Sequence, residues 1–123
     1  MQFNYIANAS IPSVSGRTIP VIDPSDGQPF DELQRSNAHD IDTAVRAARQ
    51  CYEAVWSKLS AAERGRLLMK LSAKVAEHAD ELAALEQRDC GKPTKQARAD
   101  AVALVRYFEF YAGACDKLHG DTI

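Results

Sequence analysis

Hydrophobic residues change their spacing once along the chain. Before about residue 36, Phe3, Tyr5 and Ile6 sit among polar positions, "PSVSG" offers a turn, and "TIPVI" (Thr18–Ile22) is a β-branched run between turn signals. Such runs read as short strands. "DPSDG" follows, where proline presets one φ angle and glycine tolerates a positive one, so the chain can reverse into "PFDELQ". The pattern predicts a hairpin, with Pro20 and Pro29, which lack amide donors, on edge strands.

From Asn37 onward the period becomes helical. Ile41, Ala44, Val45, Ala48, Tyr52 and Val55 recur at i, i+3, i+4 spacing, with Asn37 as N-cap and Asp40 in the first turn, and this first helix should end near Trp56. "SAAE" (60–63) is a capping box that starts a second helix, whose predicted face is Leu67, Leu68, Leu71, Val75 and Ala79. A third helix should run from about Asp80 to Asp89. After Pro93, Ala97, Ala101, Leu104, Val105, Phe108, Ala112, Cys115 and Leu118 sustain the spacing for about 25 residues, roughly 37 Å of helix. A helix of that length usually crosses a larger body than a chain of 123 residues supplies. Gly120 then reads as a stop, and Thr122 and Ile123 as the start of a strand cut short. The expected organisation is a β-hairpin region at 1–36, a helical region at 37–120 and a truncated strand at 121–123.

Composition narrows the function classes. Lys and Arg number 15 against 17 Asp and Glu, a formal charge of -2, with the signs interleaved, so neither nucleic acid nor an anionic membrane is an expected partner. No segment reaches the ~20 apolar residues of a bilayer span, and the N-terminus lacks a signal-peptide pattern. Three cysteines in no ligand or disulfide spacing suit a reducing, cytoplasmic setting.

Candidate chemistry centres first on "RDCGKP" (88–93), because a thiol near Lys92 can become a nucleophile. Against this, Cys90 stands at a helix C-terminus, where the macrodipole disfavours an anion, and it precedes Gly91 and Pro93, which end helices. The segment reads as a stop. Cys51 and Cys115 lie on or beside apolar faces and should be buried as small hydrophobes. His39, His78 and His119 stand at element ends in no ligand spacing, and no glycine-rich phosphate loop, zinc-protease or serine-esterase signature occurs. "RYFEFYAG" (106–113) places Tyr107 and Phe110 off the apolar stripe and Tyr111 at its edge, to line a ligand channel or to pack against another domain.

Taken in order, these segments resemble the N-terminal region of the NAD(P)-dependent aldehyde dehydrogenase superfamily. Val21, Asp23, Pro24, Ser25 and Gly27 match its V-x-[ND]-P-[AST]-x-G turn, "VWSKLSAAERGRLLMKL" its W-x-x-L and R-x-x-x-L run, "LEQRDCGKP" its L-E-x-x-D-x-G-K-P, and "YFEFYAGACDKLHGDTI" its Y-Y-A-G-x-A-D-K-x-x-G-x-x-I segment. The match covers nearly the whole chain. Near Asn8 and Ser10 the family often has glycine and tryptophan, and at position 90 usually threonine or asparagine.

The resemblance implies an α/β fold, of which this chain would be the N-terminal part of the cofactor-binding domain: β-hairpins followed by about four helices. It implies an enzyme in which a cysteine attacks an aldehyde, hydride passes to NAD or NADP, and a glutamate-activated water releases the acid. Those catalytic groups lie downstream in the family, so this segment alone should be inactive. It further implies a monovalent cation at Val21, Ile22 and Asp89, with a merely solvated Asp89 carboxylate as the open alternative, and an aldehyde channel beside Ala99, Ala103 and Tyr107, which share a helix face. Small residues there would leave a wide mouth. A homo-dimer or homo-tetramer is the implied assembly. The competing class is a stand-alone helical scaffold or interaction module, which should cover its apolar faces by itself.

Overall fold

A computed structural model describes residues 1–120; the strand expected at 121–123 lies outside the described residues. Four strands precede four helices: β1 (Asn4–Ile6), β2 (Ala9–Ile11), β3 (Thr18–Ile22), β4 (Pro29–Gln34), α1 (Ala38–Ala54), α2 (Ala61–Glu77), α3 (Ala79–Cys90) and α4 (Thr94–Ala114), with a 3-10 turn at Trp56–Lys58. The chain divides into two units, Met1–Lys58 and the remainder from Leu59.

In the first unit, β1 and β2 form an antiparallel hairpin in which Tyr5 faces Ser10, closed by Ala7 and Asn8 at φ 51° and 67°. Positive φ at both central residues is the two-residue turn whose twist suits a hairpin. β3 and β4 form the second hairpin, from the Thr18 and Gln34 pair to the Ile22 and Pro29 pair, with a bulge between Val21 and Ile22. Its turn is the expected one: the Gly27 amide donates to the Asp23 carbonyl at 2.8 Å, the Asp23 amide to the Gln28 carbonyl at 2.9 Å, and Gly27 holds φ 72°. Both sheets have two strands, so Pro20 and Pro29 do lie on edges.

The hairpins are tied to α1 by polar groups. Asn37 caps α1, accepting from the His39 amide at 2.8 Å, while Asp40 accepts from the Asn37 amide at 2.8 Å. The same carboxylate reaches across the unit: it accepts from the Ser13 hydroxyl at 2.8 Å and the Val14 amide at 3.0 Å. Ser13 and Asp40 are the only buried residues described in this unit. The apolar stripe of α1 stays open, with Ile41, Val45, Tyr52 and Val55 all more than half exposed.

In the second unit, α4 packs against both α2 and α3. The packing face of α2 is Gly65, Leu68, Ser72 and Val75, whereas Leu67 and Leu71, expected to line it, are exposed. Close approach is the reason. A Cβ on Gly65 would lie 2.6 Å from the Ala112 carbonyl oxygen, and the Ser72 hydroxyl donates to the Val105 carbonyl at 3.0 Å, leaving no room there for leucine. Ala83, Ala97 and Ala101 complete the contact with α3. α4 is also shorter than its periodicity predicts: it ends at Ala114, where the Lys117 ammonium caps the Gly113 carbonyl at 2.8 Å, so Leu118 is exposed beyond the helix and Gly120 is not its stop. Cys51 is exposed and Cys115 only half-buried, correcting the expectation of two buried thiols. Cys51 fails because the α1 stripe beside it has no cover.

Candidate functional site

The α3–α4 corner carries the motif that raised the question of a nucleophile. Cys90 is the last residue of α3, and its thiol donates to the Glu86 carbonyl at 3.1 Å. Gly91 follows in the left-handed region at φ 70°, donating its amide to Gln87 at 2.9 Å. This is a helix C-cap in which glycine avoids the Cβ penalty. The thiol thus bonds to the last turn of its own helix.

Lys92 organises the same corner. Its ammonium contacts Glu86 of α3, and Asp100 of α4 at 2.7 Å. Hydrogen bonds that Lys92 donates to Asp100 and then to Glu86 hold the lysine pKa above its ordinary range, while donation from Lys92 and Gln96 holds Asp100 below the usual carboxylate range. Sequence spacing did not single out this clamp, because its members sit on two helices and a loop, six and eight positions apart, and obey no one period.

Asp89 lies on the last turn of α3 and is exposed. Every other described aspartate has a hydrogen bond or ion pair, but Asp89 has none among the described residues. An anion at a helix C-terminus is disfavoured by the macrodipole, so this carboxylate gains from a cation that no side chain supplies. Val21 and Ile22 lie on β3 of the first unit, at the bulge. Opposite Ile22 stands Pro29, whose nitrogen can donate nothing, so the Ile22 carbonyl receives no hydrogen bond from it. Among the described residues no group of three or more His, Cys, Asp or Glu side chains is arranged for a metal ion.

The expected channel residues share one face of α4: Ala99 is exposed, Ala103 half-buried and Tyr107 63% exposed. They stand away from Ala97 and Ala101, which face the core. Tyr107 continues into an open concavity of about 760 Å³ lined by Arg106, Glu109, Phe110 and Tyr111, with the Phe110 and Tyr111 rings edge to face at 5.3 Å. Ala99 and Ala103 do not line it.

A dinucleotide needs a glycine-rich turn into a helix N-terminus with free amides. The described residues do not provide one: α1 and α2 are closed by their own capping boxes, and no glycine stands at the start of any helix.

The sequence profile of the aldehyde dehydrogenase family matches residues 11–123. The chain belongs to the aldehyde dehydrogenase family. It is 41% identical over 121 residues to an aldehyde dehydrogenase [NAD(P)+] of Saccharomyces cerevisiae, covering 97% of this chain and 24% of that protein. A crystal structure from Burkholderia cenocepacia, provisionally named an aldehyde dehydrogenase, superposes with a TM-score of 0.94 at 59% identity, over 98% of this chain and 25% of the other. The betaine aldehyde dehydrogenase of Staphylococcus aureus, solved with NAD+, gives 0.92 at 30% identity, over 99% and 25%. The chain therefore spans about a quarter of the length of the family members it matches. Paired hairpins followed by four helices form the family's N-terminal segment, as the motifs implied.

Proposed function

We propose that this chain is the N-terminal part of the cofactor-binding domain of an enzyme that oxidises an aldehyde to a carboxylic acid with NAD+ or NADP+. The observation that carries this reading is the family match over residues 11–123, joined to relatives near 40% identity named as NAD(P)+ aldehyde dehydrogenases. The chain's part is to scaffold. Its cysteines are exposed or half-buried, and Cys90 and Cys115 donate to carbonyls of their own helices, so the nucleophile belongs to the rest of the enzyme.

Exposed apolar faces favour this over a self-sufficient module. The open stripe of α1 and the aromatic face of α4, with Phe110 68% exposed, are surfaces that further protein would bury. Ala99, Ala103 and Tyr107 are assigned to one wall of the aldehyde channel, and the Val21 and Ile22 carbonyls with the Asp89 carboxylate to a monovalent cation. A cytoplasmic homo-dimer or homo-tetramer is the proposed form; no helix among the described residues is long and apolar enough to cross a membrane.

The test is nicotinamide reduction by the full-length protein across aliphatic, aromatic and amino aldehydes, beside the 1–123 chain alone. Turnover by the full-length protein only is the expected result. Turnover by the short chain, or none by the full-length protein, overturns the reading. For the channel, Ala103→Phe should raise KM about tenfold or more for bulky aldehydes and little for small ones, since filling a pocket changes discrimination by that order.

A further inference from the structure

We infer that Lys92 is a positioning residue for the aldehyde channel, because its bridge from α3 to α4 holds the first half of α4, with Ala99 and Ala103, at a fixed tilt. The inference rests on the channel reading proposed above. All the residues concerned lie in the second unit, which begins at Leu59.

The two halves of α4 are held differently. Its second half is pinned by α2, through the Ser72 hydroxyl on the Val105 carbonyl at 3.0 Å and the close approach of Gly65 to Ala112. The first half rests on α3. There the apolar contact is Ala83 with Ala97 and Ala101, and methyl groups bring helices together without the interdigitating ridges that fix a crossing angle. Directed bonds must supply what the alanines do not. Arg98 pairs with Asp80 at 3.0 Å, but these side chains are 67% and 77% exposed, and a pair so open to water contributes little. Thr94 donates to Gln87 at 2.8 Å, yet it is the first residue of α4 and holds only the point where the helix begins. Lys92 reaches further. Its side chain is 27% exposed, it joins Glu86 of α3 to Asp100, about two turns into α4, and Gln96 secures the second Asp100 oxygen at 2.8 Å. Asp100 stands beside Ala99 and three residues before Ala103, so pinning it pins that end of the wall.

The experiment measures kcat and KM of the full-length protein for propanal and for 2-naphthaldehyde. An aldehyde too small to touch the wall cannot sense where it stands. Lys92→Met should therefore raise KM for 2-naphthaldehyde about tenfold, the order by which pocket contacts discriminate, and leave kcat and the propanal KM unchanged. Lys92→Arg keeps the charge and should recover most of that KM, Asp100→Asn should shift it the same way by less, and Arg98→Ala should leave it alone. A merely structural role lowers kcat for both aldehydes alike, by reducing the folded fraction; that result, or an Arg98→Ala shift equal to that of Lys92→Met, overturns the inference. Should Lys92→Met fail to fold, Asp100→Asn decides, and an unchanged 2-naphthaldehyde KM in that variant overturns it. Ala103→Phe separates the two readings. If it leaves the 2-naphthaldehyde KM unchanged, the channel reading falls and this inference with it; if it raises that KM while Lys92→Met does not, the channel stands and the role of Lys92 alone is overturned.

Discussion

The two units are held by opposite means. The first buries only Ser13 and Asp40, both polar, and joins hairpin to helix through hydrogen bonds on one carboxylate. The second buries Gly65, Ser72, Val75, Ala83, Ala97, Ala101 and Ala112, and joins its helices by close approach of small residues. Hydrogen bonds are directional but contribute modestly, because the unfolded groups bond to water, whereas packed helices gain from every excluded atom. The first unit should therefore fail through loss of a particular partner, the second through a wrong volume.

The largest effect tests the volume side. Gly65→Ala places a Cβ 2.6 Å from the Ala112 carbonyl oxygen, a backbone atom that can only move with its helix. Overpacking of this kind costs about 1–3 kcal/mol, and Gly65→Val should cost more. Urea unfolding would show it. An unchanged midpoint would mean that α2 and α4 slide apart freely and that close approach is not what holds the second unit.

Ser13→Ala tests the partner side. It removes the hydroxyl that donates to Asp40 and leaves a buried carboxylate short of a donor, a loss of about 1–3 kcal/mol. The companion test is pH. Hydrogen bonds from the Asn37 amide, the Val14 amide and the Ser13 hydroxyl, in that order, hold the Asp40 pKa below its ordinary 3.8. A lowered folded pKa gives stability that is fully present above the ordinary value and is lost as pH falls from there through the folded value. Asp40→Asn should therefore be less stable than wild type at neutral pH, and the gap should close in acid below about 3.8. A gap independent of pH would show that the carboxylate charge plays no part.

The same contrast explains what could be read from the sequence. Capping boxes at Asn37 and Ser60, the "DPSDG" turn and the stop at Gly91 are local, so a few neighbouring residues determine them, and the structure has each. Leu68 and Val75 lie on the contact face of α2 as their spacing predicts, but Leu67 and Leu71 do not, because the helices touch through Gly65 and Ser72. The bonds from Ser13 to Asp40 and from Lys92 to Asp100 span 27 and 8 positions and leave no periodic trace. The candidate site divides likewise. Ala99, Ala103 and Tyr107 fall on one face by helical spacing alone, while Asp89 is marked in the sequence only by the family motif around it.

A smaller effect belongs to the corner itself. Gly91→Ala forces a Cβ into the left-handed region at φ 70° and should cost about 1 kcal/mol, with Gly91→Asn milder because asparagine tolerates that region. Cys90→Ser should leave aldehyde oxidation by the full-length enzyme unchanged, since the hydroxyl can make the same bond to Glu86. A steady-state assay in which Cys90→Ser abolished turnover would restore the thiol as a nucleophile.

The smallest effect returns to the first unit. Ala7 and Asn8 close the β1–β2 turn, both with positive φ, and of the two only asparagine adopts that region readily. Ala7 therefore carries a Cβ penalty that the turn geometry imposes. Ala7→Gly relieves it but gives the unfolded chain more freedom, so the net gain should be about 0.5 kcal/mol, whereas Ala7→Val, branched at Cβ, should lose more than that. Unfolding midpoints should rank glycine above alanine above valine. If all three coincide, the β1–β2 hairpin lies outside the cooperative structure, and the polar hub at Asp40 holds only β3, β4 and α1.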